Sequence, residues 1–400
     1  MAGESNREYL VGGEIGRFRP LVPYSRLACD FFGALSQELR SDLRANAHPD
    51  VLAFAFWCRA AHLEKLKNES ESSNLGRRVR IGLGCVFHIT PSNVPVNFGF
   101  SFVFGLLSGN ANVVRVPSKP FPQTEIICSA LRAVLARECF AELRTMTEFV
   151  RYGHDDAITG AYSATCNARI IWGGDIAIQN IRKFPIPERG VDIAFADRYS
   201  FCILGAHAVL ALGDDGVARL AERFYNDTYL MDQNACSSPH LIVWQGDQVP
   251  AAKARFWGAV GRVAEKKYGL SQFHAVDKLM RLCQDSIECP AVAGYSKIGN
   301  YLYRIQLRSL PSGVDSLRGE FGYFYEYDAG SLDELAPIVN SRYQTLTYFG
   351  IEKQVLLDFI LLQRLTGIDR IVPVGSALEI GVIWDGYDII DSLSRVIDVV

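Results

Sequence analysis

The chain has 400 residues, 49 % of them hydrophobic, and a formal net charge of −3. That is enough apolar material for two cores or one large one, and the balanced charge offers no basic face to nucleic acid. The most apolar stretch, residues 98–109, falls well short of the roughly 20 residues a membrane span requires. The opening residues carry neither the basic nor the apolar region of a signal peptide, so the expectation is a cytoplasmic protein with no membrane partner.

Residues 1–80 read as helical. LACDFFGALSQELRSDL (27–43) and DVLAFAFWCRAAHLEKLKNE (50–69) carry apolar residues at helical spacing with charges on the opposite face. From residue 79 the pattern changes. VRIGLGCVFHIT (79–90) reads as one buried strand ending at PSNVP, residues 98–110 as a helix stopping at Gly109-Asn110, and NVVRV as a second strand. A helix over 124–138, a strand at FVRYG, a strand at ARIIWGG and a helix from Ala177 follow. FADRYSFCIL (195–204) reads as one further strand. Strand and helix alternating at this cadence indicate parallel, doubly wound sheets. A second cycle comprises a helix over 216–230, the strand SSPHLIVW and a helix over 251–269. With no repeat or low-complexity linker, the domain change is expected near 205–214, between two tightly joined units.

The ten cysteines are scattered singly, with no CxxC and no Cys/His cluster. This spacing gives neither a disulfide framework nor a zinc site, and most of the thiols sit among apolar residues as small buried hydrophobes.

Three segments break the ordinary pattern. In HITPSNVPVNFGFSF two prolines bracket Asn93 directly after a strand, at the kind of strand-to-helix loop where open α/β sheets bind ligands. Taken singly, the segment reads first as a turn whose Asn caps the next helix. In IIWGGDIAIQNIRKF, Gly173 and Gly174 stand between a strand and a helix start, where backbone can approach a phosphate. The motif is not GxGxxG and is weak alone. In NDTYLMDQNACSSPHLIVW, Cys236 follows a polar loop, and a thiol near loop amides and a helix start can have a lowered pKa. One cysteine in ten also falls in a polar loop by chance. His88 and His240 adjoin apolar strand residues and read as structural, Phe98, Phe100, Phe102 and Phe104 as core, and Asp155 and Asp156 as a helix start.

Taken together, the order of these segments resembles the aldehyde dehydrogenases. The wording of VFHITPSNVPVN, FGLLSGNANVVRVPSK, RYGHDDAITGAYSATCNARIIWGGD, FADRYSFCIL, DQNACSSPH, QTLTYFG and WDGYDII is similar to the LuxC family, the acyl-CoA reductases of bacterial bioluminescence. The likeness runs from about residue 79 to the end. It implies an aldehyde-dehydrogenase-like α/β fold with two doubly wound, parallel-sheet domains. Residues 1–80 would be a helical segment packing on a nucleotide-binding domain at 81–210. A catalytic domain would occupy 211–370, and a tail at 371–400 would lie near a subunit interface of a homo-oligomer.

Carried over by position, the resemblance implies that Cys236 is the nucleophile and that Asn93 and the Cys236 amide are oxyanion donors. Arg115 would meet the adenosine ribose, with Ser118 and Lys119 beside it, and Trp172, Gly173, Gly174 and Asp175 would hold the pyrophosphate of the cofactor. Phe321 and Gly322 match the dehydrogenases' E-x-F-G segment, in which Glu320 stands one residue out of register. The strand that carries the water-activating Glu in acid-forming dehydrogenases reads DIAFADRYSFCIL here, with no Glu. A general base is worth about 10²–10⁴-fold, so its loss favours reduction over hydrolysis. The segment RVPSKP has no acid to repel a 2′-phosphate, which points to NADPH.

The implied activity is reduction of an acyl thioester, on CoA or an acyl carrier, to an aldehyde. An acyl-activating or acyl-transferring enzyme would be a partner. An acyltransferase or thioesterase using the same cysteine, and a non-catalytic acyl-binding subunit, remain as alternatives.

Overall fold

The computed structural model describes residues 7–73, 78–92 and 94–399. Asn93 therefore lies outside the described residues. The chain divides into two compact units: residues 1–196 with 387–400, and residues 197–386.

In chain order, unit 1 contains β1 (Glu8–Gly12), α1 (Arg26–Ser41), α2 (Pro49–Trp57), α3 (Ala60–Ser73), β2 (Arg78–Gly82), β3 (Cys85–Ile89), α4 (Asn97–Leu107), β4 (Ala111–Arg115) and α5 (Pro122–Leu135). It continues with α6 (Ala141–Arg144), β5 (Thr147–Arg151), α7 (Asp156–Thr165), β6 (Ala168–Trp172), α8 (Asp175–Arg182) and β7 (Val191–Phe195). Unit 2 runs through β8 (Tyr199–Gly205), α9 (Ala206–Ala211), α10 (Asp214–Thr228), β9 (Pro239–Gln245), α11 (Val249–Lys267), α12 (Gln272–Glu288), β10 (Val292–Ile298) and β11 (Leu302–Leu307). Then come β12 (Tyr323–Ala329), β13 (Tyr343–Phe349), α13 (Lys353–Leu362), β14 (Arg370–Pro373) and β15 (Ile383–Trp384). The chain finishes in unit 1 with β16 (Tyr387–Asp388), α14 (Ile389–Ser392) and β17 (Ser394–Asp398).

Three expected elements are each two. Residues 79–90 are β2 and β3, split at Gly84, whose φ of +140° places the chain where a Cβ would strike Asn167. The expected single helix over 50–69 is interrupted at Cys58-Arg59, and His62 Nδ1 sits 2.7 Å from the Trp57 carbonyl. The strand expected over 195–204 is divided between β7 and β8, which belong to different sheets. The change of unit thus falls at residues 196–197, before the expected 205–214. The apolar run reads as continuous because both strand ends are buried, and only the short polar pair Asp197-Arg198 marks the crossing.

The sheet of unit 1 has the order β1-β5-β4-β3-β6-β7, parallel except for β1 at the edge. From β3 the chain builds outward through β4 and β5, then returns to the other side of β3 with β6 and β7. The strand order therefore reverses between β3 and β6, and ligands bind such sheets at that switch, beyond the carboxyl ends of the strands. The chain after β3 and the Gly173-Gly174 turn after β6 both leave the sheet there. Helices α1 and α2 pack on α4 through aromatic edges, with Phe32 against Phe102 at 5.6 Å and Phe54 against Phe100 at 5.0 Å. The last residues also belong to this unit: β17 pairs antiparallel with β2, and Asn110 Nδ2 donates to the Leu393 carbonyl at 2.9 Å.

A buried polar chain fixes Trp172. Its Nε1 donates to Ser101 Oγ at 3.0 Å, Ser101 Oγ lies 2.8 Å from His88 Nδ1, and His88 Nε2 lies 2.9 Å from Asn112 Oδ1. Asn112 Nδ2 donates to the Asn110 carbonyl, which orients its amide. Burial keeps His88 neutral, and with the Asn112 oxygen facing Nε2 the proton sits on Nε2, so the Ser101 hydroxyl donates to Nδ1. Gly105 makes room, because a Cβ there would stand 1.8 Å from Asn112 Oδ1.

Unit 2 has the sheet order β10-β11-β12-β9-β8-β13-β14, parallel except for β10. Alternate residues of β8 and β9 serve two cores. Phe201, Ile203, Leu241 and Val243 face one that includes Leu356 and Phe359 of α13. Cys202, Leu204, Ile242 and Trp244 face the other, with Phe224 of α10 and Trp257 of α11. A strand buried on both faces carries a continuous apolar run, as RYSFCIL and PHLIVW do.

Burial lowers the His88 pKa to about 4, so below its ordinary range the unfolded chain takes up a proton that the folded chain refuses. Stability is then intact at neutral pH and falls as pH drops from about 6.5 toward 4. The loss at pH 4 should be about 3 kcal/mol from this group. Urea unfolding of wild type and His88→Gln between pH 7 and 4 measures it. Equal slopes in the two proteins would show that His88 titrates normally.

Candidate active site

Parallel strands set the position of every candidate residue. In unit 1, Arg115 ends β4 and Trp172 ends β6, so the loops that follow leave the same edge of the sheet on either side of β3. Arg115 is half-buried, donates from Nη2 to the Gly153 carbonyl at 2.9 Å and lies 4.5 Å from the Tyr152 ring centroid. Ser118 and Lys119 are exposed. Ser118 Oγ donates to the Tyr152 carbonyl at 3.3 Å, and Lys119 Nζ lies 5.2 Å from the Phe121 ring. Trp172 stacks on Phe195 with centroids 3.9 Å apart. Gly174 caps α8 with no side-chain hydrogen bond and has open space where a Cβ would be. Asp175 is exposed in the first turn. An open glycine turn before a helix whose first amides lack a capping side chain suits a diphosphate.

In unit 2 the thiol stands at the opposite kind of edge. Cys236 lies just before β9, beside the amino ends of β8 and β13. Ser200 Oγ donates to the Cys236 carbonyl at 2.7 Å and accepts from the Thr345 amide at 3.1 Å. The preceding loop turns through Asp232 and Gln233, both in the left-handed region at φ +52° and +65°. Gln233 is fully buried. Its Oε1 accepts from the amides of Gly322 and Tyr323, each at 3.2 Å, and its Nε2 donates to the carbonyls of Pro239 at 3.2 Å and Tyr323 at 3.0 Å. The Phe321 amide donates to the Asp232 carbonyl at 3.2 Å. The cysteine loop and the Phe321-Gly322 segment are thereby one structure. Phe321 is itself left-handed at φ +58°, with its ring stacked 3.8 Å from His274. Glu320 lines a shallow cleft with Arg318 and Arg281.

The thiol environment differs from the expectation. No helix begins at Cys236; the chain passes through a turn into β9, and Gln233, Ser237 and Ser238 of the loop are buried while Asn234 is exposed. Cys236 is half-buried, and burial pushes its thiol up to about 11, with the negative charge of Asp385 adding to the rise. Gln344 and Arg370 act in the opposite direction. Gln344 Nε2 lies 3.5 Å from Cys236 Sγ and also donates to Asp385 Oδ1. Arg370 is fastened to the carbonyls of Ala377 and Glu379 at 3.2 and 2.8 Å and packs over Trp384 at 4.4 Å.

Gln233, Gln344, Asp385 and Arg370 were not singled out by sequence. The first adjoins the cysteine within DQNACSS. The next two lie in QTLTYFG and WDGYDII, whose unusual wording was the available signal.

His240 is structural. It is buried, its Nδ1 lies 3.0 Å from the Gly319 carbonyl, and burial lowers its pKa to about 3. All ten cysteines carry free thiols. Among the described residues, no helix is long and apolar enough to cross a membrane.

The raised thiol pKa makes a measurable statement. Alkylation of Cys236 by iodoacetamide, followed by peptide mass spectrometry, should accelerate about tenfold per pH unit from 7 to 10, because only the thiolate reacts. A plateau below pH 9 would show a thiol poised by groups other than these.

Comparison with known proteins gives a consistent picture. Residues 57–255 match the family model described as acyl-CoA reductase (LuxC). No curated protein matches the chain. Among solved structures, an NAD-dependent aldehyde dehydrogenase from Sinorhizobium meliloti aligns with a TM-score of 0.66 at 14 % identity, covering 95 % of this chain and 82 % of that one. An NAD-dependent benzaldehyde dehydrogenase from Corynebacterium glutamicum gives 0.59 at 13 % identity, covering 94 % and 85 %. A 1-pyrroline-5-carboxylate dehydrogenase from Thermus, solved with bound NAD, gives 0.61 at 13 % identity, covering 94 % and 81 %. The fold is the aldehyde-dehydrogenase-like α/β arrangement.

Proposed function

We propose, for a chain whose residues 57–255 match the family model described as acyl-CoA reductase (LuxC), that Cys236 accepts an acyl group from a carrier thioester and that the group leaves as an aldehyde after reduction by NADPH. The observation that carries this reading is the seat of Cys236. A half-buried thiol, with an amide donor on its sulfur, stands in a loop stapled to the Phe321-Gly322 segment.

Ionised, the Cys236 sulfur would attack the thioester carbonyl, and the carrier thiolate would leave as the acyl–sulfur bond forms. Gln344 Nε2 and the positive charge of Arg370 favour the thiolate against burial. Asn93, on the loop after β3, is the proposed donor to the carbonyl oxygen as it gains charge. Arg115, Ser118, Lys119 and the turn Trp172, Gly173, Gly174 and Asp175 would hold the nucleotide, and Phe321 would bound its nicotinamide. When bound, that cofactor supplies the hydride that takes the acyl group to the aldehyde level. Aldehyde release then returns the electron pair of the carbon–sulfur bond to Cys236.

Water is the competing acceptor. The carboxylate beside the thiol, Asp385, is engaged by Gln344 and lies 3.5 Å from Arg198 Nε, and β8 contributes no Glu. An engaged carboxylate is a poor base for water, which favours reduction over hydrolysis. The acyl donor would be acyl-CoA or an acylated carrier delivered by an acyl-activating or acyl-transferring enzyme, and the reductase would work in the cytoplasm as a homo-oligomer.

The test is acyl-CoA with NADPH, following absorbance loss and trapping the aldehyde. Mass spectrometry without cofactor should find the acyl adduct on Cys236, and Cys236→Ala should abolish both adduct and reduction. An adduct on another cysteine would sink the assignment. Acyl transfer or hydrolysis without loss of NADPH would establish a transferase or thioesterase instead, and neither adduct nor turnover would indicate a binding subunit.

Cofactor choice rests on the loop after β4. The segment RVPSKP contains no acid, and Lys119 is exposed and able to meet a 2′-phosphate. Lys119→Glu should reduce kcat/KM with NADPH by a few kcal/mol equivalent, as charged hydrogen bonds are worth about 1.5–3, and change NADH much less. Equal use of both cofactors by wild type, or an indifferent variant, would refute the preference.

A further inference from the structure

Two segments, QTLTYFG and WDGYDII, have no part in the scheme as carried over from the family, yet they meet at the thiol. Gln344, at the second position of β13, is fully buried, and its side-chain amide is held from both ends. Oε1 accepts from Thr345 Oγ1 at 3.2 Å, while Nε2 donates to Asp385 Oδ1, 41 residues away in sequence, and faces Cys236 Sγ at 3.5 Å. Turning the amide over would set its oxygen against a carboxylate and a developing thiolate, so the network permits one orientation. Asp385 is aimed inward by its backbone. It and Gly386 both occupy the left-handed region, at φ +48° and +76°, as an Asp-Gly pair does readily.

We propose that Gln344 is a catalytic residue that donates a hydrogen bond to the Cys236 thiolate when it attacks and again when it is released, and that Asp385 is a positioning residue that holds the Gln344 amide in the donating orientation. The proposal rests on Cys236 being the nucleophile. Arg198, Gln344, Asp369 and Arg370 bear on Asp385, while Asp197, Gln344, Arg370 and Asp385 bear on the sulfur. A carboxylate near a thiolate opposes it by charge alone. Asp385 therefore costs ionisation directly and favours it through Gln344, and the two actions can be separated.

The experiment is the pH profile of Cys236 alkylation by iodoacetamide, read on the Cys236 peptide, in wild type, Gln344→Leu, Gln344→Met, Asp385→Ala and Asp385→Asn. Losing the donor should move the profile of both Gln344 variants up by about one unit, a rate about tenfold lower at fixed pH below the thiol pKa. Reading Leu and Met together guards against a packing loss in either. Asp385→Ala should shift the profile upward because the amide is released. Asp385→Asn, which keeps an acceptor oxygen for Gln344, should restore the wild-type rate or exceed it. The proposal is overturned if both Gln344 variants react like wild type, or if Asp385→Ala and Asp385→Asn both accelerate alkylation, the behaviour of a bare charge. Alkylation needs neither thioester nor nicotinamide, so these outcomes stand whether or not the reductase assay succeeds.

Discussion

Gln233 makes four hydrogen bonds from a fully buried side chain, all to backbone, and they join the loops that lead into the neighbouring parallel strands β9 and β12. Left-handed residues other than glycine are disfavoured, and three of them, Asp232, Gln233 and Phe321, stand on either side of this amide. Their conformations persist because the amide and the Phe321-to-Asp232 backbone bond over-determine them. A buried amide with both oxygen sites and both protons used contributes stability. With one partner removed, it would leave a desolvated group costing about 1–3 kcal/mol. The position of Cys236 follows from that constraint. The loop enters β9 at a fixed register, Ser200 receives the Cys236 carbonyl, and the sulfur is directed toward Gln344.

The thiol then experiences opposed influences. Burial is the largest and favours the neutral form, Asp385 adds to it, and Gln344 and Arg370 oppose it. The net result is a thiol held near 11, which is protonated in the resting protein. Such a balance protects the thiol from adventitious oxidation, because reactivity follows the thiolate fraction. Any change that strengthens the amide contact or moves Asp385 away shifts the balance toward the nucleophile. Arg370 contributes little freedom of its own, since carbonyls and the Trp384 ring fix its guanidinium.

Much of this was legible in the sequence where one physical cause dominated. The parallel α/β class followed from buried strands alternating with amphipathic helices, and the Asp155 helix start from its capping carboxylate, which accepts the Ile158 amide at 3.0 Å. The core role of the phenylalanines on α4 followed from apolar density. What the sequence concealed depended on groups distant along the chain. The crossing between units was hidden because β7 and β8 are both apolar and nearly adjacent. The Cys236 thiol lies above the expected range because a loop rich in polar residues is not necessarily solvated, and burial dominates here. Gln233 and Ser238 of that loop are fully buried and bond only to backbone. Gln344 and Asp385 had unusual wording as their only signal, since neither stands near the cysteine in sequence.

Under the proposed reduction of an acyl-cysteine, Asp385 bears on the competition between hydride and water. Acyl-cysteine chemistry is diverted to acid when a carboxylate is free to take a proton from water. Burial raises Asp385 to about 6, a value suited to a general base at neutral pH. Its availability is set by partners rather than by basicity. One oxygen is taken by Gln344, and the other faces Arg198 at 3.5 Å, so accepting a proton from water would require a hydrogen bond and an ion-pair attraction to be given up. The same contact that orients the amide on the sulfur thus withholds the carboxylate from water. Selectivity between hydride and water need not come from the absence of an acid alone, for it can be built by giving the acid other work.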